Sequence, residues 1–320
     1  MDKPIDNLQK EGTTELAAVL IAVTDSEAKV LTVDHGESLP NGPLTPIHRS
    51  LQAGVRQWVE TQTHQPLGYV EQLYTFVDTH RQTSSGHYLI YISYLGLVRE
   101  ETKPLESAAL WQNWYDYFPW EDHRNGRPEF IETALHPIFR HWINAGNTIA
   151  EQKSREQRVK LCWGIAPFVW NEEYVLQRYE LMYEVGILPE SQLITTANKI
   201  DHESTYGKPM AHDHRRVLAS AMARLRAKIK YRPVIFELMP PAFTLFQLQQ
   251  SIEALAGITL HKQNFRRFIT QQEIIEETGK IDQSGPGRPA KLYQFREDIL
   301  LERSLSGSRS NICKQLMVLA

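Results

Sequence analysis

The sequence predicts an α+β protein with more than one domain, on three observations. Its 320 residues exceed the roughly 100–200 of a typical domain. Apolar and β-branched residues run in strand-like blocks up to about residue 100, and beyond it they mostly recur at helical spacing. The charge also changes sign along the chain. Residues 1–207 carry 17 Lys and Arg against 28 Asp and Glu, whereas residues 208–296 carry 15 against 7. An acidic region followed by a basic one is the division expected when the second meets a polyanion.

The elements follow in order. "TELAAVLIAVT" and "AKVLTVD" are apolar, β-branched runs separated by "DSE", and are predicted as paired strands. After the Gly/Pro-rich "HGESLPNGPLTP", the residues Leu51, Val55, Trp58 and Val59 fall at helical spacing behind Ser50, a candidate N-cap. "GYVEQLYTFVD" and "HYLIYISYLGLV" read as strands joined by the turn "THRQTSSG". Three helices are then predicted, in "LESAALWQNWYDYF", "EFIETALHPIFRHWINAG" and "NEEYVLQRYELMYEVGIL". "PMAHDHRRVLASAMARLRAKIKY" reads as a long connecting helix. Beyond it come the helix "TLFQLQQSIEALAG", with Thr244 as N-cap and Gly257 as C′, the helix "TLHKQNFRRFITQQE", and a strand, loop and strand in "IIEETGKIDQSGPGRPAKLYQF". Helix, tight turn, helix and β-hairpin is the order of a winged helix-turn-helix.

Composition excludes several classes. No window approaches the roughly 18 consecutive apolar residues of a membrane span, so no membrane partner is expected. Cys162 and Cys313 form no CxxC pair, which leaves neither a disulfide framework nor a zinc knuckle. "MDKPIDNLQKEGTTE" lacks the apolar core of a signal peptide, so a cytoplasmic location is expected.

Two constellations carry chemistry. The first spans Gly42 to Thr63. Its spacing resembles the Nudix box, which runs Gly, five residues, Glu, seven residues, then Arg-Glu-apolar-x-Glu-Glu-x-Gly. Gly42, Arg56, Trp58 and Glu60 fit; His48, Gln57, Thr61 and Thr63 replace three glutamates and a glycine. Positions 57, 60 and 61 share a helical face, and one carboxylate there is a poor site for a hard divalent cation. No metal and no catalytic residue is therefore assigned. Together with "EQLYTFVDTHRQTSSGHYLIYISYLGLV" and the C-terminal stretches "NFRRFI" and "GPGRPAKLYQF", the box is similar to the Nudix-related transcriptional regulators of NAD metabolism. The overall length resembles that of the longer alphaproteobacterial repressors of NAD synthesis.

The resemblance implies a Nudix-like α/β/α sandwich at 12–207, with 101–207 as a helical insertion. It further implies a connecting helix at 208–232, a winged helix-turn-helix at 233–300 and a tail at 301–320. It also implies a homodimeric repressor of NAD-synthesis genes that binds double-stranded operator DNA and senses NAD, ADP-ribose or ATP. The effector contacts expected are Arg56, Gln57, Glu60, His80, Arg81, His212 and His214. Two readings stand for Arg56, a pyrophosphate contact or an anchor for its own loop. His80 and Arg81 are placed in the turn after "YTFVD". His212 and His214, at i and i+2, do not share a helix face and are read as polar pocket contacts rather than metal ligands. The aromatic "WQNWYDYFPW" would either stack a ring or fill the core.

The second constellation stands on its own chemistry. Lys262, Asn264, Arg266 and Arg267 lie on the second helix of the basic region, with Phe265, Phe268 and Ile269 on its opposite side. They include side chains that bond bidentately to guanine or adenine edges. Lys280, Lys291 and Arg288, the last held between Gly287 and Pro289 in "GPGRPAK", would serve a wing that meets phosphates or the minor groove. The rival function is an active nucleotide pyrophosphatase that combines Glu60 with Glu71 or Asp78 and carries an accessory nucleic-acid-binding domain.

Overall fold

The computed structural model describes residues 13–68, 70–82, 88–100, 105–106, 108–191, 206–231, 234–283 and 289–297. Its centre is β1 (Thr13–Thr24). Leu16 to Ala22 are all buried, because both faces of the strand are covered, and this is why the segment reads as a continuous apolar run rather than an alternation. β2 (Glu27–Thr32) and β3 (Asn41–Pro43) pair with it antiparallel, at Ile21 with Val30 and at Leu16 with Gly42. β4 (Val70–Gln82) pairs antiparallel with β5 (Tyr88–Leu97), and β5 lies parallel to β1. β6 (Leu110–Asn113) closes the order β4-β5-β1-β2-β6.

The two faces of the sheet bury different partners. Leu16, Ala18, Leu20 and Tyr94 meet Val55 and Val59 of α1 (Leu51–Thr63). The Ser50 hydroxyl caps α1 by accepting the Ala53 amide at 3.1 Å. Val19, Ile21, Val30 and Tyr91 face the other way, into a core that includes Val217, Leu218 and Met222 of α5 (His214–Tyr231). The connecting helix is thus a buried layer of the molecule rather than an exposed linker. Its apolar side chains have a sheet face to cover, and α2 (His136–Asn144), α3 (Ile149–Trp163) and α4 (Val175–Val185) supply side chains to the same cluster.

Two sequence expectations fail in this middle region. The described part of "LESAALWQNWYDYF" forms β6 and a 3-10 turn at Trp114–Asp116 instead of a helix, and a second 3-10 turn follows at Pro119–Glu121. Trp114, Tyr115, Tyr117, Phe118 and Trp120 are all buried. So dense a buried run leaves no polar stripe for an amphipathic helix, and the outer edge of β2 takes Leu110–Asn113 as its partner. The same burial makes the aromatic segment core rather than a ring-stacking surface. The second failure is α3, which was not predicted. It buries only Val159, Cys162 and Trp163, and its start is fixed by the Thr148 cap on the Glu151 amide at 3.1 Å. No helix among the described residues is long and apolar enough to cross a membrane.

The C-terminal unit follows the predicted order. α6 (Leu245–Ala256) opens with a reciprocal capping box between Thr244 and Gln247 and ends on left-handed Gly257. α7 (Lys262–Gln271) buries Phe265, Phe268 and Ile269. β7 (Ile275–Asp282) and β8 (Ala290–Phe295) form the hairpin. Phe243 adds a single antiparallel β-bridge to the hairpin, exchanging both backbone hydrogen bonds with Tyr293 at 2.9 and 2.8 Å.

His123 lies between the two units, its ring 4.2 Å from that of Trp170. Burial pushes its imidazole down from 6.5 to about 4, against the pull of Glu121. The unfolded chain therefore protonates first as pH falls. The stabilisation is complete above about pH 6.5 and is lost between there and about pH 4, worth roughly 2–3 kcal/mol. Urea titrations at pH 7.5 and 4.5 should show this difference, and His123→Phe should flatten that part of the slope. An equal slope in the variant would place the proton uptake elsewhere.

Candidate nucleic-acid interface and nucleotide cleft

α7 presents its polar side outward. Lys262, Gln263, Arg266 and Arg267 are exposed, and Asn264 is half-buried. Three aromatic or branched residues hold the other side down, so the positive groups are fixed in direction. None of Lys262, Arg266 and Arg267 is held in an ion pair among the described residues, whereas Arg124, Arg127, Arg155, Arg158, Arg178, Arg215, Arg216 and Arg226 each are. An unpaired guanidinium pair on one exposed helix face is available to an external anion. On the hairpin, Lys280 is exposed, while Lys291 is engaged with the Glu277 carboxylate across the strands at 2.8 and 2.9 Å. Arg288 lies outside the described residues.

The box at Gly42 to Thr63 is closed by neutral contacts. Gln62 and Asn41 bond reciprocally at 3.0 and 2.8 Å. The Trp58 indole donates to Pro43 O at 3.1 Å and lies flat over Gly42, where a Cβ would come within 2.3 Å of the ring. Gly42→Ala is expected to destabilise by about 1–3 kcal/mol through this overpacking, measurable as a fall in melting temperature. An unchanged melting temperature would mean that Trp58 moves freely. His48, at the first glutamate position of the box, accepts the Thr45 amide on Nδ1 at 3.1 Å. Its Nε2 is buried with no hydrogen-bond partner among the described residues.

Arg56 donates to Leu67 O and Gly68 O. Both contacts are to backbone carbonyls of the loop that follows α1, and neither is a salt bridge. Gln57 and Glu60 are exposed on α1. His214 is buried at the start of α5, accepting the Leu39 amide on Nδ1 at 3.1 Å, on the sheet face opposite α1. His212 is exposed next to it with a left-handed φ of 54°. The structure therefore does not gather these expected effector contacts at one point. His80 and Arg81 continue β4 rather than forming a turn, since pairing with β5 resumes at Gln82, and their side chains lie outside what the structure describes. Glu71 is paired with Lys228 of α5, away from Glu60, and the Asp78 side chain is likewise undescribed. Among the described residues no three His, Cys, Asp or Glu side chains meet at a common metal position.

Residues 235–295 match the family described as the NrtR DNA-binding winged helix domain. The C-terminal unit, helix-turn-helix followed by a β-hairpin, lies within the residues that this family model matches. A curated relative, the ADPR responsive transcriptional repressor NtrR of Acinetobacter baylyi, is 42% identical over 86 residues. That match spans 27% of this chain and 34% of the relative. Likeness extends further in fold. The Shewanella oneidensis NrtR structure complexed with a 27mer DNA aligns with a TM-score of 0.53 and 21% identity, covering 89% of this chain and 94% of that one. A MutT/nudix family protein from Enterococcus faecalis aligns with a TM-score of 0.52 and 16% identity over 92% and 90% of the two chains. The chain thus shares the fold of the S. oneidensis structure, a mixed α+β unit followed by the winged helix that the family model matches.

Residues that sequence reading missed lie between the C-terminal unit and the sheet. Glu121 is fully buried and receives Arg178 at 2.6 and 2.8 Å and Arg226 at 2.6 Å. Arg178 in turn stacks on Trp170, 3.8 Å from its ring centre. In sequence, a lone Glu121 and two scattered arginines carry no signal, because 105 residues separate Glu121 from Arg226.

Proposed function

We propose that the protein is a DNA-binding transcriptional repressor whose N-terminal Nudix-like unit senses ADP-ribose without hydrolysing it. The observation that carries this reading is the exposed Arg266-Arg267 face of α7, free of ion pairs among the described residues, on a unit that matches the NrtR winged helix domain. Eight other arginines among the described residues are engaged in ion pairs, whereas this face is kept for a polyanion. The response of the A. baylyi relative supports ADP-ribose over NAD and ATP. The Gln57 and Thr61 replacements support binding without turnover, since the helix face that would load Mg²⁺ has one carboxylate. Genes of NAD synthesis are the target that the family resemblance implies, and a homodimer on a two-fold operator is the arrangement that gives such a module specificity.

The test is an electrophoretic mobility shift on DNA from upstream of the protein's own gene, repeated with ADP-ribose, NAD and ATP. A salt-sensitive, sequence-selective shift that responds to ADP-ribose alone is expected. Hydrolysis of ADP-ribose with Mg²⁺, lost in Glu60→Gln, would instead make the protein a pyrophosphatase.

A further inference from the structure

A helix leaves its last carbonyls without intrahelical donors, and α6 has its own filled from another unit. Glu253 O is taken locally by the Gly257 amide. Ala254 O accepts the Tyr115 hydroxyl at 2.7 Å, and Leu255 O accepts Arg226 Nε at 3.1 Å. In the turn that follows, Gly257 O accepts the His123 amide at 2.7 Å, and the Thr259 hydroxyl donates to Arg124 O at 2.7 Å. The approach is close enough that a Cβ on Gly257, at φ +71°, would fall 2.4 Å from Glu121 O. Gly257 is therefore demanded twice, as a left-handed helix cap and as the surface on which residues 113–124 rest.

These contacts continue toward the sheet. Arg124 donates to Ser26 O at 2.9 Å and to Glu27 at 2.9 Å, and the Asn113 amide reaches the same Glu27 carboxylate at 2.7 Å. The tip of the β1–β2 hairpin, the aromatic segment and the helix-turn-helix are thus joined by direct hydrogen bonds. α7 begins at Lys262, immediately beyond the clamped turn, so fixing the backbone at 257–259 fixes the direction in which α7 leaves.

We propose that residues 113–124, together with Arg226, are the joint through which the N-terminal unit sets the orientation of the recognition helix; this rests on the DNA-binding reading above. A ligand changes DNA affinity only by favouring one arrangement of the two units over another. This joint transmits the arrangement of the sheet unit to the reader. Tyr115, Arg124 and Arg226 act as positioning residues that need not touch DNA.

The test uses the full chain carrying Tyr115→Phe and Thr259→Val, which remove two of the cross-unit donors while keeping side-chain shape. Hydrogen exchange of the amides 257–262 is expected to speed up about tenfold or more, with β1 and β5 still protected. Affinity for the upstream duplex should fall, and the ratio of affinities with and without ADP-ribose should move toward one. Unchanged exchange at 257–262, an equal loss of protection in β1 and β5, or an unchanged ADP-ribose ratio would overturn the joint. A wild-type protein that ignores the duplex would sink the repressor reading, and one that binds it but ignores ADP-ribose would sink the effector assignment. In either case the exchange comparison alone decides the joint.

Discussion

Glu121→Ala is expected to lower the free energy of unfolding by about 3–5 kcal/mol, as does removing one member of other buried ionic groups. Glu121, Arg178 and Arg226 are all fully buried. Burial pushes the Glu121 carboxyl up, and the two guanidinium groups overcome this to hold it below the ordinary carboxylate range. Deleting the carboxylate leaves two cations close together in a low-dielectric interior with no counter-charge, only neutral partners such as Cys162 O, Asn171 O and the Trp170 ring for Arg178 and Leu255 O and the Tyr115 hydroxyl for Arg226. Urea unfolding at pH 7 measures the loss, and a change under about 1 kcal/mol would show that water reaches the site. Because the folded carboxyl is depressed, its contribution is full above the unfolded pKa and disappears as pH falls through the folded one. The acid loss from Glu121 thus sets in only at the lower end of the window assigned to His123 and continues below it.

Arg266→Ala and Arg267→Ala are each expected to weaken binding to the upstream duplex by about 1–3 kcal/mol while leaving the fold intact. Both side chains are exposed and form no ion pair among the described residues, so their removal strands no buried partner there. The two outcomes differ in kind. An arginine that reads a guanine edge loses preference for its own sequence, whereas one that meets a phosphate weakens all duplexes alike and reduces the salt dependence. Fluorescence anisotropy across a salt series on the upstream duplex and on a scrambled one separates these. Wild-type affinity for both duplexes in the double variant would remove α7 as the reader. Lys291 should matter less than either, because Glu277 already holds its ammonium.

Local signals carried much of the architecture. The run Leu16–Ala22 states its own burial, and Ser50, Thr244 and Gly257 mark helix ends because a hydroxyl that reaches an amide, or a residue free to adopt positive φ, acts within a few positions. Phe265, Phe268 and Ile269 likewise fixed which side of α7 faces out. The box spacing at Gly42 and Trp58 was legible for the same reason.

What only the tertiary structure decided involves pairs far apart in the chain. Whether "LWQN" forms helix or strand depends on the open edge of β2, which no window around residue 110 contains. Whether the helix after His212 is a linker or a core layer depends on the sheet face it covers. Arg56 closes a loop because Leu67 O and Gly68 O stand within its reach. By itself, then, the sequence determined the order of elements in the C-terminal unit, the charge division and the exposed basic face of α7, all set by short-range periodicity and composition. Folding decided that Glu121 would find Arg178 and Arg226, and that the helix-turn-helix would be held by its carbonyls, since burying those charges is tolerable only where partners from distant segments arrive together.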